Sequence, residues 1–580
     1  MRRRDARCGR RTADADPERP RFFIHRAIEA LAHDIATEHG GPLQRAMLFA
    51  TMNAARRCLR FVREKAPKST TLGHLGTVYL GLDHASPLAA SLAPINPTIS
   101  VVLCSAEAFP YAKQYWQHTG DGISSRRAEF CHQLLRDGLL VPAAGPQPSS
   151  PPRGPPCRGP RRYQRPVSQD GLPTPAARTG GGGAQETGDR RDAEETIRFV
   201  EERFGRNLDL GLLGRARSAI KRRIVGALAA DVDIATTPLP AVAAGTNTRG
   251  VASLGENDVY LYPCGMNAIY NAHRYLLEAR GNLKSINLGF PYVDTLKILE
   301  KFGPGCVFYG HASEQDLDAL ERRLAGGERF LALFCEFPGN PLLTCPNLAR
   351  IRRLADRYDF AVVVDETIGT FANINVLPFA DVVVSSLTKI FSGDCNVMGG
   401  SAVFNPGSRY YLDLKAAAQA GFEDMYWAED VIFMERNSRD FASRVGRINT
   451  NAAAISDVLA ASPLVRAVFY PKHGGGRANY DACRLPSGGY GGLLSVTFHA
   501  KRHAVAFYDA IETAKGPSLG TNFTLTSPYV LLAHYQELDW AASLDVDPDL
   551  IRISVGLEET HELENVFAKA LAAAGKIRAE

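Results

Sequence analysis

The segment VVVSSLTKIFSG (residues 382–393) decides the fold class of this chain. Three consecutive valines form a short apolar run that is typical of a buried β-strand, and hydroxyl residues and Lys389 follow at its end. A second segment, AVVVD (residues 361–365), has the same form and ends in Asp365. Because ligands bind at the carboxyl ends of strands in open α/β sheets, we expect Lys389 and Asp365 at one binding edge.

A third segment, YLYPCGMNAIY (residues 260–270), combines a strand, a tight glycine turn and the start of a helix. A helix N-terminus of this kind is suited to an anion. Taken alone, each feature is more typical of a helix cap, a solvated lysine or a simple turn than of a binding site. Together they match pyridoxal phosphate, which needs a lysine for a Schiff base, a carboxylate for its ring nitrogen and a cradle for its phosphate.

Alternating strands and helices surround these segments and predict an α/β domain with a mostly parallel sheet and helices on both faces. We place this cofactor domain at residues 246–410 and a smaller C-terminal α+β domain at 411–580. The predicted strands are Val259–Tyr262, Ser285–Leu288, Cys306–Tyr309, Phe330–Phe334, Ala361–Val364 and Val382–Ser385, and the predicted helices are Asn267–Arg280, Tyr292–Phe302, Asn347–Tyr358 and Glu559–Ala573.

The first half of the chain is organised differently. We predict a disordered tail at residues 1–20, an α/β extension at 21–142, a linker rich in Pro and Gly at 143–187 and a helical arm at a subunit interface at 188–245. In these regions the apolar periodicity predicts helices at Phe22–Thr37, Pro42–Lys65, Ser124–Asp137 and Ala193–Ala230, and a strand at Ile99–Cys104.

Composition excludes several classes of protein. Hydrophobic residues make up 45% and charged residues 22% of the 580 residues, which excludes wholesale disorder. The net charge of +5 is too small to indicate nucleic acid, and no apolar run reaches the roughly 18 residues of a membrane span. The 11 cysteines include no CxxC pair, so we expect neither a metal site nor a disulfide framework. We expect a cytoplasmic protein, with the mitochondrion as the alternative because Arg is frequent near the start.

Six ordered motifs resemble the cystathionine γ-synthase family, the fold-type I pyridoxal-phosphate enzymes of Cys/Met metabolism. The motifs are YPCGMNAI (262–269), GFPYVDTL (289–296), CEFPGNPL (335–342), VDETI (364–368), SSLTKIFSG (385–393) and RISVGLE (552–558). The stretch AKQYWQHTGDGISSRR (112–127) resembles the N-terminal extension of the fungal members. The resemblance implies the aspartate aminotransferase-like fold and γ-replacement on an O-acyl-L-homoserine. L-Cysteine would be the nucleophile and cystathionine, on the route to methionine, the product.

The resemblance also implies a catalytic set. Lys389 would form the Schiff base with pyridoxal 5'-phosphate and then move protons. Asp365 would pair with the ring nitrogen of the cofactor. Tyr292 would stack on the cofactor ring and assist proton transfer.

For the cofactor phosphate, the resemblance implies backbone N–H groups of Gly265 and Met266 and the hydroxyls of Ser386 and Thr388. An arginine from the neighbouring subunit completes this site in the family, within a Tyr-x-Arg segment. Arg203 is the candidate here, although a glutamate stands two residues before it where the tyrosine is expected. A solvated helix face is the alternative interpretation of this segment.

For the substrate, the resemblance implies that Arg552 binds the α-carboxylate through its planar guanidinium group. Asn340 would contact the cofactor phenolate or the same carboxylate, and Ser518 would be a further carboxylate contact. Glu336 is interpreted as structural. Pro517 stands where many bacterial members have a glutamate.

Three alternatives stay open. The same catalytic residues could serve another nucleophile, such as sulfide, carbon or nitrogen, or a lyase reaction. The N-terminal extension could be a regulatory or assembly module, with Trp116, His118 and Asp121 as candidate residues, or simply a structural core. The family resemblance implies a homodimer or homotetramer with shared active sites and small-molecule substrates, with no nucleic acid and no membrane as partners.

Overall fold

The computed structural model describes residues 23–41, 43–67, 70, 75–86, 92, 95–143, 210–228, 231–239 and 247–577. The predicted tail at 1–20 lies outside these ranges. So do Arg203, almost all of the predicted linker and about half of the predicted arm. None of the helices in the described ranges is both long enough and apolar enough to cross a membrane.

A seven-stranded sheet with the order β5-β11-β10-β9-β8-β6-β7 forms the centre of the molecule. All its strands run parallel except β11, which is antiparallel to both of its neighbours. The predicted α/β fold with a mostly parallel sheet is confirmed. The strands are β5 (Val259–Tyr262), β6 (Ser285–Leu288), β7 (Cys306–Tyr309), β8 (Ala332–Glu336), β9 (Ala361–Asp365), β10 (Val382–Ser386) and β11 (Gly400–Phe404).

The valines of the central strands explain why both faces of this sheet are covered. Side chains alternate along a strand, so Val362 and Val364 enter the core on one face while Val363 enters the core on the other. Each face therefore needs its own layer of helices. These helices are α5 (Leu213–Ile224), α6 (Gly265–Arg280), α7 (Val293–Lys301), α8 (Glu314–Ala325), α9 (Leu348–Tyr358), α10 (Thr370–Asn373), α11 (Tyr411–Gly421) and α12 (Ala428–Asn437).

The C-terminal part contains a five-stranded sheet with the order β12-β13-β16-β15-β14, in which only the β14–β15 pair is parallel. Its strands are β12 (Val465–Phe469), β13 (Leu493–Phe498), β14 (Ala514–Lys515), β15 (Leu525–Pro528) and β16 (Ile551–Ser554). Its helices are α13 (Phe441–Ala460), α14 (Arg477–Cys483), α15 (Lys501–Ala510), α16 (Tyr529–Ala533), α17 (Leu538–Ala542) and α18 (Thr560–Gly575).

The N-terminal part has a sheet and an apolar core of its own. An antiparallel sheet with the order β1-β3-β2-β4 packs against helices, four of which lie within the described ranges. The strands are β1 (Gln44–Phe49), β2 (Gly76–Leu82), β3 (Ile99–Ser105) and β4 (Leu140–Pro142). The helices are α1 (Arg26–His39), α2 (Met52–Lys65), α3 (Phe109–Thr119) and α4 (Ser125–Arg136).

The prediction of one helix over residues 42–65 is wrong in its first part. Residues 44–49 form β1, which pairs with β3 in register from Gln44–Ser105 to Phe49–Ser100. This pairing joins segments about fifty residues apart and buries Met47, Leu48 and Phe49, so tertiary packing overrides the local periodicity. Strand β8 also begins at residue 332 rather than 330, and β2 and β11 were not predicted.

Candidate active site

Chemically active side chains meet at the carboxyl edge of the central sheet. Strands β8, β9 and β10 are neighbours and end at Glu336, Asp365 and Ser386. A cleft at this edge is lined by Glu336 and Asp365 together with apolar side chains such as Phe290 and Val384. The sheet therefore brings together residues that are up to fifty positions apart in the chain.

The turn before α6 is packed too closely to tolerate a side chain. A Cβ atom on Gly265 would lie 2.8 Å from the Cβ of Ser386, so glycine is needed for the turn to approach the end of β10. Cys264 is the N-cap residue of this 16-residue helix and makes no side-chain cap bond. The first N–H groups of α6, including those of Gly265 and Met266, are the ones that a helix leaves without intrahelical partners. They make this turn a suitable anion cradle.

Asp365 is a partly buried carboxylate that accepts hydrogen bonds from Thr367, two residues further along the chain. Its Oδ1 accepts hydrogen bonds from the Thr367 N–H at 2.9 Å and from the Thr367 hydroxyl at 2.5 Å. The same hydroxyl accepts from the N–H of Ser386 at 2.8 Å, which ties β9 to β10. Burial raises the pKa of Asp365. No ion pair to Asp365 is found within the described ranges, so a cationic ring nitrogen would supply the missing countercharge.

Lys389 lies in the turn after β10. Its Nζ donates a hydrogen bond to the Ser518 hydroxyl at 3.2 Å. Burial first and the nearby Arg552 guanidinium second lower its pKa from 10.5 to about 8. Gly520 has φ +72° and packs directly against Lys389. A Cβ atom on residue 520 would lie only 2.8 Å from the Cβ of Lys389, so glycine is needed for this close packing. The structure thus brings Lys389 close to Ser518 and Arg552, which lie more than 120 residues further along the chain.

The hydroxyl of Thr388, which is predicted to bind phosphate, contacts the next loop. It donates to the carbonyl of Gly399 at 3.2 Å and accepts from the N–H of Gly399 at 3.1 Å. Thr388 therefore fixes the turn that carries Lys389.

Arg552 is buried and lies in a network of polar side chains. Its guanidinium donates to Asn340 Oδ1 at 3.0 Å and to the carbonyls of Pro517 at 2.5 Å and Ser518 at 2.8 Å. The Nδ2 of Asn340 donates to the Tyr529 hydroxyl at 2.8 Å, and the Tyr529 ring lies 4.1 Å from the Arg552 guanidinium carbon. This pocket offers cationic and amide donors of the kind that bind a carboxylate.

Glu336 connects two loops that carry predicted site residues. One carboxylate oxygen accepts from the N–H of Tyr292 at 2.5 Å and the other from the N–H of Asn340 at 3.1 Å. Burial, and secondarily the charge of Asp365, raise the pKa of Glu336 to about 8. Glu336 thus positions Tyr292, which precedes α7, and Asn340.

Sequence reasoning missed two members of this site. Thr367 lies inside the quoted VDETI motif, two residues after Asp365, where a hydroxyl next to a strand-end carboxylate was a usable signal. Tyr529 had no such signal, because it is 189 residues from its partner Asn340.

Comparison with known proteins finds family models that match two parts of the chain. Residues 249–572 match the family described as Cys/Met metabolism PLP-dependent enzyme, and residues 27–124 match the fungal trans-sulfuration enzyme N-terminal domain. Cystathionine γ-synthase of Neurospora crassa is 61% identical over 95% of this chain and 91% of its own length. The cystathionine γ-synthase-like enzyme iboG2 of Amanita muscaria is 39% identical over 96% of this chain and 90% of its own length. Among solved structures, cystathionine γ-synthase of Xanthomonas oryzae has 22% identity and a TM-score of 0.49, covering 62% of this chain and 98% of that one.

Proposed function

The chain belongs to the Cys/Met metabolism PLP-dependent enzyme family, and on that premise we propose that it is a γ-replacement transferase. It acts on an O-acyl-L-homoserine with L-cysteine as the nucleophile and forms cystathionine for methionine biosynthesis. The observation that carries this proposal is the 61% identity to the Neurospora cystathionine γ-synthase, which extends over 95% of the chain. The family resemblance favours the acetyl ester over the succinyl ester.

The residues at the sheet edge fit pyridoxal 5'-phosphate, the cofactor of this family. A partly buried carboxylate without an ion-pair partner within the described ranges, a lysine with a lowered pKa and a glycine turn at a helix start lie at one edge. Asp365 would hold the ring nitrogen, Lys389 the aldehyde carbon, and Gly265 and Met266 the phosphate. Tyr292 would stack against the ring.

When bound, the cofactor supplies an electron sink that acidifies the carbon atoms next to the substrate amino group. Lys389 removes and returns protons at the substrate Cα and Cβ, because its Nζ has a pKa of about 8 and is available as a base near neutral pH. Ser518 orients this amine through the 3.2 Å hydrogen bond.

Arg552 binds the substrate α-carboxylate and fixes the direction of the side chain that carries the ester. Asn340 and Tyr529 keep the guanidinium in place, since Asn340 accepts a hydrogen bond from Arg552 and donates one to the Tyr529 hydroxyl. The Cγ–O bond breaks and the acyloxy group leaves as a carboxylate. The cysteine sulfur then forms a bond to Cγ and gives up its thiol proton, and Lys389 returns protons to Cβ and Cα.

We also propose the broader arrangement of the protein. The chain forms a homodimer or homotetramer in which Arg203 of one protomer reaches the phosphate site of another. The cofactor domain spans residues 246–410 and the C-terminal domain 411–580. A cytoplasmic location is supported by the free thiols of all nine described cysteines, which suit a reducing compartment.

The test is an assay of the purified protein with O-acetyl-L-homoserine or O-succinyl-L-homoserine, each with and without L-cysteine. We expect cystathionine with cysteine present, at a higher kcat/KM for the acetyl ester. Arg552→Lys keeps the charge but loses the planar fork, so we expect a raised KM for the ester. Release of 2-oxobutyrate without cystathionine would replace the proposal with a lyase. Product formation only with sulfide or another nucleophile would change the acceptor.

A further inference from the structure

The N-terminal domain meets the rest of the molecule at the phosphate end of the candidate active site. One contact there is made by the 119–122 loop, which we define as Thr119, Gly120, Asp121 and Gly122. This loop begins at the last residue of α3 and lies against the first turn of α6.

Asn267, the third residue of α6, is held from the loop by two hydrogen bonds. Its Nδ2 donates to Asp121 Oδ1 at 2.7 Å and to the carbonyl of Thr119 at 3.0 Å. Cys264, the N-cap residue of α6, directs its thiol to the Gly120 carbonyl at 3.8 Å. The start of α6 is therefore held from outside the cofactor domain.

Asp121 is fully buried and is itself fixed by the core of the N-terminal domain. Its second oxygen accepts from the Tyr115 hydroxyl at 2.5 Å and from the Arg57 guanidinium at 3.2 Å. The carboxylate thus joins α2 and α3 to α6 in one polar network. A buried charge with several partners of this kind holds its geometry tightly, because each lost bond leaves an unsatisfied buried group.

Gly120 sets the distance between the two domains. It has φ +65°, and a Cβ there would lie 2.5 Å from the Cys264 sulfur and 3.0 Å from the backbone nitrogen of Asn267. Any larger residue must push the first turn of α6 away. On the other side of the loop, a Cβ on Gly122 would lie 2.3 Å from the Trp116 ring nitrogen, so the loop cannot retreat easily.

Two further contacts reach the same site from the N-terminal domain. His118 Nδ1 lies 3.0 Å from the carboxylate of Asp294, two residues after Tyr292 in α7. Arg126 donates to the carbonyl of Asn396 at 2.7 Å, in the loop after Lys389. The N-terminal domain therefore braces three elements that carry proposed cofactor contacts.

We infer that the 119–122 loop is a positioning element of the cofactor's phosphate site. The N-terminal domain is then a structural part of the active site rather than a separate regulatory module. This inference rests on the proposed phosphate contacts of Gly265 and Met266. Asp121 and Gly120 act through α6 and do not touch the cofactor themselves.

The test compares binding of two ligands to the apoprotein. Pyridoxal phosphate and pyridoxal share the ring and the aldehyde and differ only in the phosphate. Gly120→Ala should weaken pyridoxal phosphate about ten-fold or more, because charge-assisted bonds to backbone N–H groups depend on position. The affinity for pyridoxal should stay the same.

Gly138→Ala is the matched control. Gly138 has φ +69° in the same domain, and a Cβ there meets no atom within 4 Å, so it adds the same backbone strain without touching α6. Its affinities for both ligands should equal those of the wild type. Asn267→Ala removes the hydrogen bonds between α6 and the 119–122 loop from the side of α6. It should weaken pyridoxal phosphate and leave the affinity for pyridoxal unchanged. This variant provides the test if Gly120→Ala does not fold.

Equal weakening of both ligands, or no weakening of either, would overturn the inference while leaving the proposed function intact. The binding readout needs neither the ester nor cysteine. A wild-type apoprotein that does not bind pyridoxal phosphate would overturn the proposed function and this inference with it.

Discussion

The lowered pKa of Lys389 predicts how fast the apoprotein captures its cofactor. Only the neutral amine can attack an aldehyde, and the pKa falls from 10.5 to about 8 through burial and the charge of Arg552. At pH 7.5 an amine with a pKa of 8 is about one-quarter neutral, whereas one with a pKa of 10.5 is about one-thousandth neutral. The environment of Lys389 thus raises its reactive fraction roughly 200-fold.

Arg552→Met removes the cationic contribution and keeps most of the side-chain volume. The pKa of Lys389 should rise, and each unit of rise should slow capture about ten-fold at pH 7.5. Stopped-flow absorbance of apoprotein mixed with pyridoxal phosphate, between pH 7 and 10.5, gives the midpoint of the rate profile. We expect a midpoint near pH 8 in the wild type and a higher one in the variant, with the two rates converging at high pH.

Arg447→Met is the control, because it removes an arginine that pairs with Glu559 on the surface of the C-terminal part. Its midpoint should equal that of the wild type. A wild-type midpoint near pH 10, or identical midpoints in the wild type and Arg552→Met, would refute the reasoning.

Three further changes test the contacts around the site. The pKa of Glu336 is about 8 in the folded protein and 4.5 in the unfolded chain. Between these two pH values the folded apoprotein holds a proton on Glu336 that the unfolded chain has lost. The free energy of unfolding therefore falls by about 1.4 kcal/mol for each pH unit of increase between pH 4.5 and 8. Glu336→Gln should reduce the difference between the free energies of unfolding measured at pH 5.5 and at pH 8. An equal difference in the wild type and the variant would contradict this prediction. Tyr529→Phe removes the acceptor for Asn340 and should raise KM for the ester about five-fold with kcat nearly unchanged, since one hydrogen bond contributes about 1 kcal/mol. An equal fall in kcat would argue against this positioning role. Thr367→Val takes a donor from Asp365 and should weaken pyridoxal phosphate binding about ten-fold, and unchanged binding in a titration would count against it.

Local patterns predicted the central sheet because its strands are short apolar runs that end in polar residues. The valines of 361–365 and 382–386 alternate between two cores, which only a sheet covered on both faces allows. Residues 44–49 were assigned to a helix because their partner strand lies about fifty residues away and leaves no mark on the local periodicity. Strand β11 was missed for the same reason, since its place between β5 and β10 depends on long-range pairing.

The same difference applies to the candidate site: short sequence motifs identify some of its residues, whereas others are placed there only by contacts between distant parts of the chain. Residues inside contiguous motifs, such as Asp365 and Lys389, could be named because the strand ends that carry them are neighbours in the sheet. Tyr529 could not, because its partner Asn340 is 189 residues away in the chain. Trp116, His118 and Asp121 lie close together in the sequence, which makes them candidate residues of the N-terminal extension. Only the structure shows that Asp121 accepts a hydrogen bond from Asn267 in α6.

The measurement that tests the central claim most directly is the identity of the lysine that carries the cofactor. The purified holoenzyme would be reduced with borohydride, digested and mapped by mass spectrometry. We predict a pyridoxyl group on the peptide that contains Lys389, and its loss in Lys389→Ala. A pyridoxyl group on another lysine, or no labelled peptide after full loading with cofactor, would contradict the account.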